Sequence, residues 1–183
     1  MIIKRLKTEK VHNEMWLFLV GFLVFFMLTS CKKEPPRLHK ETQEGLGTFG
    51  CLVNGELVVQ RGDRRNRSAP EGNYDSIKNQ FVLITGTEYV GNSIRIFVAQ
   101  PKEGTCVIDS AIFYPTNPST PYYYVAQNTG QMNFTRFDSG YASGTFEFDA
   151  DAYEKQTLQS IPNRKIQVRK GIFDIKLYEY SIR

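Results

Sequence analysis

The chain has 183 residues and a formal charge of +4, a length that fits one domain with enough interior to fold without several staples. A charge so near neutral leaves no electrostatic footprint for nucleic acid. Thirteen Phe and ten Tyr stand against a single Trp, so the core and any adhesive surface are built from phenyl and phenol rings.

Residues 1–30 have the layout of an export signal: a basic start (Lys4, Arg5, Lys7, Lys10), an apolar run from Met15 to Met27, and Leu28-Thr29-Ser30 before Cys31. Those last four residues resemble the bacterial lipobox. The resemblance implies cleavage before Cys31, a diacylglycerol on its sulfur and an acylated new amino terminus. As a helix, residues 15–29 would rise only about 22 Å, short of the roughly 30 Å hydrocarbon core, so cleavage is expected rather than spanning. Two or three acyl chains at one residue hold a protein persistently where a single chain holds it marginally. Lys32, rather than the Asp associated with inner-membrane retention, follows Cys31, so the expected location is the cell envelope at the outer membrane. The periplasmic and surface faces both stay open. Without residues 1–30 the chain keeps 19 basic and 17 acidic side chains, a charge of +2, and loses Trp16.

Residues 31–47, the cysteine and a polar, charged stretch poor in aliphatic side chains, read as a flexible tether. Lys32-Lys33-Glu34 is either a weak surface-export signal or solvated linker. From residue 48 to 183, turn chemistry recurs every eight to twelve residues between short β-branched and aromatic runs. That spacing predicts one all-β domain, an antiparallel sandwich or barrel-like fold of about eight to ten strands. Asn54-Gly55 predicts a tight hairpin turn between strands at 49–53 and 57–60. Further strands are expected over 81–87, 93–99, 106–114, 122–127, 131–137, 144–149, 165–169 and 172–180. Alternation is clean at Ile94, Ile96 and Val98, at Phe146 and Phe148 against Glu147 and Asp149, and at Phe173, Ile175 and Leu177 against Asp174 and Lys176. In each case one face is expected to be core and the other wet. Residues 151–160 have room for a helical turn or two.

Four segments carry a resemblance: Thr48-Phe49-Gly50-Cys51-Leu52-Val53-Asn54-Gly55, Phe134-Thr135-Arg136-Phe137-Asp138, Ser143-Gly144-Thr145-Phe146-Glu147-Phe148-Asp149-Ala150 and Gly171-Ile172-Phe173-Asp174-Ile175. They look like the landmarks of a family of small, uncharacterised Bacteroidota lipoproteins. The resemblance implies an all-β lipoprotein domain with no assigned catalytic or binding residue, and Ile172 stands where many relatives have Arg. Read physically, Gly144 and Gly171 suit a bulge or tight turn, and Asp138 and Asp149 suit turns. A calcium site gathering Asp138, Asp149, Asp151 and Asp174 is the functional alternative, although no D-x-D-x-D-G loop supplies its oxygens.

His12 and His39 are the two histidines, and neither falls in the expected domain. Ser-His and Cys-His nucleophiles and imidazole zinc sites are therefore not expected there. With no phosphate-binding or nucleophile-elbow motif, the chain reads as a non-enzymatic binding or structural accessory needing no cofactor or metal. A carbohydrate-binding or carbohydrate-processing lipoprotein, in the latter case with a carboxylate pair, is the alternative. An envelope protein or glycan is the expected partner beside the membrane itself.

Cys51 and Cys106 either form a disulfide in an oxidising compartment or are two small core residues. Arg61, Arg64, Arg65 and Arg67 form a basic loop that is either solvated or a recognition patch. If Tyr122, Tyr123 and Tyr124 lie on a strand, Tyr123 must face the opposite side from its neighbours. Exposed tyrosines there would serve partner or glycan recognition.

Overall fold

A computed structural model describes residues 37–38, 40–61, 69–87, 90–117 and 119–179. They belong to one compact all-β unit. Among the described residues nine strands follow one another: β1 (Thr48–Val53), β2 (Glu56–Arg61), β3 (Glu71–Asp75), β4 (Gln80–Thr87), β5 (Val90–Ala99), β6 (Gly104–Tyr114), β7 (Tyr122–Phe137), β8 (Tyr141–Glu154) and β9 (Ser160–Glu179).

Every pairing is antiparallel except β3 with β9. The long β9 organises the sheet. One edge of β9 runs along β8, and the other edge takes β1 and then, further on, β3. Hydrogen bonding therefore passes from β3 through β4 to β8 and β9 and back to β3 as a ring, with the β1–β2 hairpin attached beside it. The closing link is three parallel residue pairs, Gly72–Leu177, Asn73–Tyr178 and Tyr74–Glu179, so this is a sheet with ring-like bonding rather than a true barrel.

Asn54 and Gly55 both adopt positive φ (49° and 86°) and join Val53 to its partner Glu56, the two-residue hairpin expected of Asn-Gly. Two pairs of expected runs are each one continuous strand, β7 and β9, and β8 extends beyond the expected 144–149 at both ends; all three carry their direction through bulges. In β9 the switch sits at Lys170, with φ of 52°. Ile166 and Val168 are buried before it, Phe173 and Ile175 after it, so the inward parity shifts by one. Gly171 and Gly144 lie inside strands at register shifts, the bulge rather than the turn of the two alternatives. A side chain at Gly171 would run into the Phe146 ring at 2.5 Å, and one at Gly144 into the Asn133 carbonyl at 2.1 Å. Residues 151–160 form no helix: β8 continues to Glu154 and a turn leads into β9.

The core lies on the inner face and is meshed by phenyl rings from five strands. Phe81 meets Phe134, Phe137 and Phe173 at 5.2–6.2 Å, and Phe146 meets Phe49, Phe148 and Phe173 at 5.4–6.4 Å. Each such ring contributes about 2–3 kcal/mol by burial, and the edge-to-face pairs add to it. Cys51 and Cys106 belong to this core as free thiols. The bridge posed between them is not formed: Cys51 pairs with Val58 across β1–β2, while Cys106, on β6 opposite Met132, directs its sulfur to the Lys102 carbonyl at 3.5 Å. Burial pushes the Cys51 thiol up to about 12, so it stays protonated and unreactive at neutral pH.

Candidate functional site

The outer face of β9 holds what alternation alone does not foresee. Asp174 points away from the core, between the inward Phe173 and Ile175, yet it is 1% exposed. Residues 42–46, ahead of β1, cross over it as a strap. Three successive strap amides converge on its carboxylate, from Glu44 (3.2 Å), Gly45 (2.8 Å) and Leu46 (3.2 Å). The hydroxyls of Thr42 in the strap and Ser143 on β8, the cross-strand partner of Asp174, also donate to it, at 2.5 and 2.6 Å. Amides turned towards one point form a concavity that holds an anion, and here the anion is the protein's own side chain. Burial works to raise the pKa of Asp174. Donation from Ser143, Thr42 and the amides of Gly45 and Leu46 outweighs it and holds the carboxyl below the ordinary aspartate value.

A second set of contacts fastens the strap sideways. Gln43 donates to the Thr135 carbonyl on β7, and Arg136 donates to the Gln43 carbonyl. Arg136 also lies 4.1 Å over the Tyr141 ring and pairs with Asp138 at 2.6 Å. Gly45 is required where it sits. Its φ is +69°, and a Cβ there would lie 2.4 Å from the Tyr141 ring. Asp138 caps the β7–β8 turn through the Gly140 and Tyr141 amides. The Gly140 amide, then Arg136, hold its carboxyl below the ordinary value. Residues 42–46, expected as tether, are thus part of the domain, held by polar bonds rather than by apolar burial.

Beside the strap, the outer face of β6, β7, β8 and β9 forms an open groove of about 730 Å³, with Leu38, Lys40 and Glu41 along one side. Its base has two cross-strand rows. Thr105, Asn133, Thr145 and Ile172 are successive partners on the four strands, and Gln131 and Glu147 are partners on the next row. Gln131 donates to Glu147 at 3.1 Å. A neighbouring hollow of about 600 Å³ shares Thr105, Gln131 and Glu147 and reaches Arg169, which is paired with Asp149.

The tyrosines occupy the other end of the same strands. Tyr123 does face away from Tyr122 and Tyr124, as parity requires. It stacks between Tyr114 on β6 (5.7 Å) and Tyr153 on β8 (6.2 Å), with Arg95 6.0 Å from the Tyr114 ring. On the inner side Tyr124 is buried, and half-buried Tyr122 receives Arg164 3.7 Å over its ring and a hydrogen bond at its hydroxyl. The arginines are the other group expected to serve recognition. Arg64, Arg65 and Arg67 lie outside the described residues, as do the Arg61 side chain, Cys31 and both histidines.

Asp138, Asp149, Asp151 and Asp174 do not converge. Each has its own partners: Arg136, Arg169, Lys165 and the strap. Among the described residues no cluster of three or more His, Cys, Asp or Glu is placed to hold a metal ion. Sequence reading missed the strap and the groove. The signal for the strap was Asp174 itself, an acid inside a strand whose flanks are fully apolar.

Compared with protein-family models, curated proteins and solved structures, the chain matches none of them.

Proposed function

We propose that the protein is a lipoprotein of the cell envelope, acylated at Cys31 and held at the outer membrane, whose β domain is a non-enzymatic binding or structural accessory. The lipobox supports the anchor. The side chains that sequence alone offered for chemistry support the accessory role, because Asp138, Asp149, Asp151 and Asp174 are engaged in a turn, ion pairs and the strap, and both domain thiols lie in the core. The observation that carries the reading is the groove walled by the segment that follows Cys31. Leu38 is seven residue steps beyond Cys31, and an extended chain covers at most about 3.3–3.6 Å per residue, so the acylated Cys31 would lie within about 25 Å of that wall. A carbohydrate ligand is the reading favoured next, because hydroxyl and amide side chains line the groove.

Metabolic labelling with palmitate tests the anchor. The wild-type chain takes up label and fractionates with membranes, whereas Cys31→Ser does neither; equal labelling of the two removes the anchor.

A further inference from the structure

We infer that the groove over β6 to β9 is a binding site for a neutral oligosaccharide chain. The inference rests on the reading of the domain as a binding module and names the ligand class of that site. The groove's volume, about 730 Å³, lies in the range of small-molecule sites. Its floor is a sheet face, not a sheet edge. Backbone N–H and C=O groups there are spent on the strand ladders, so only side chains are left to bind, and an extended peptide finds no edge to join.

Four neighbouring side chains on the floor are hydroxyls and amides. Thr105, Gln131 and Asn133 are exposed and Thr145 is half-exposed. They sit on three neighbouring strands, about 4.8 Å apart, a step close to the length of one pyranose ring in a chain. Hydroxyls and amides both donate and accept, which suits a ligand whose own hydroxyls do both. Charge argues the same way: Lys40 and Lys170 are matched by Glu41 and Glu147 around the rim, so neither a polyanion nor a polycation is favoured. Ile172 and Leu38 add an apolar strip for the C–H face of a sugar.

The tyrosine row does not compete for this role. The faces of Tyr123 are taken by Tyr114 and Tyr153, and a sugar stacks on a ring face left open. Without an aromatic platform in the groove, affinity should be modest.

The test is a titration of the purified full chain, followed by amide NMR, with maltohexaose, cellohexaose and chitohexaose as free probes. Vesicles with and without a neutral glycosyl diacylglycerol present the same chemistry on a lipid. The expected result is saturable shifts at Thr105, Gln131, Asn133 and Thr145 below about 10 mM probe, with the Tyr123 row unmoved. Asn133→Ala and Gln131→Ala should each weaken binding about fivefold, the loss of one hydrogen bond, while spectra elsewhere stay native, as expected for exposed positions. Shifts with the glycosyl diacylglycerol vesicles alone keep the site and identify a membrane glycolipid as its source. Cleavage of a bound probe keeps the site and overturns the non-enzymatic reading, Glu41 and Glu147 then being the acids to replace. No shift with any probe, or shifts confined to the tyrosine row, overturns the inference.

Discussion

The two ends of β7 and β8 solve the same problem in opposite ways. Each end has an outward face that alternation assigns to water. At the tyrosine end, three phenol rings stand against one another across β6, β7 and β8 and remain half-exposed. At the strap end the outward face is covered, and a carboxylate is buried beneath five donors. The first arrangement is local and sequence-tolerant, because any pair of rings gains from cross-strand contact. The second is all or nothing, because a buried carboxylate is tolerable only while its donors are in place.

Removing Asp174 should therefore have the largest effect. Asp174→Ala leaves three amides and two hydroxyls facing an apolar gap and should cost about 3 kcal/mol, lowering Tm by about 6–12 °C in a domain of this size. Thermal melts check this, and a change under 2 °C would mean that the clasp contributes little.

Acid should attack the same end selectively. Because the folded carboxyl of Asp174 lies below its ordinary value, which is about 3.9 in an unfolded chain, its stabilisation is complete above that pH. It is lost as pH falls through the lowered folded value. Asp138 adds in the same direction. Melts from pH 6 to pH 2 should fall less steeply for Asp174→Asn than for the wild type, whereas Tyr123→Ala should leave the slope unchanged.

Gly45→Ala should cost about 1–2 kcal/mol through its positive φ and the Tyr141 ring beneath it. The loss should be confined to the strap, as limited proteolysis ahead of β1 would reveal. The smallest effect belongs to the other end: Tyr123→Ala should cost about 1 kcal/mol and leave the strap untouched. A larger loss from Tyr123→Ala than from Asp174→Ala would reverse the comparison.

Most of the strand content was legible because burial on one face imposes a period of two, and that period survives in Ile94-Ile96-Val98 and Phe146-Phe148 regardless of context. The Asn-Gly turn was legible because its backbone demand is local. The strand β3 was not: Glu71-Gly72-Asn73-Tyr74-Asp75 has neither β-branched residues nor alternation, and it is a strand because β4 and the end of β9 flank it. The breaks expected inside β7 and β9 were bulges, which shift parity without ending a strand.

The landmark segments were legible as patterns but not as a site. Ser143 and Asp174 come from two of them and meet only after β8 and β9 are paired. The strap was hidden for a different reason. Composition judges whether a segment can bury apolar area, and residues 42–46 are held by amides, which every sequence has. The bridge between Cys51 and Cys106 failed on a point that pairing decides and spacing does not: each faces the core beside its own partner, Val58 or Met132.

Amide hydrogen exchange at Gly45 tests most directly whether residues 42–46 are clasped to the sheet. In the wild-type chain the Gly45 N–H, bonded to the Asp174 carboxylate at 2.8 Å, should exchange far more slowly than an unstructured glycine. In Asp174→Asn it should exchange much faster, while the amides of β6 keep their protection. Exchange of Gly45 at the unstructured rate in the wild type would contradict the clasp and return residues 42–46 to the tether.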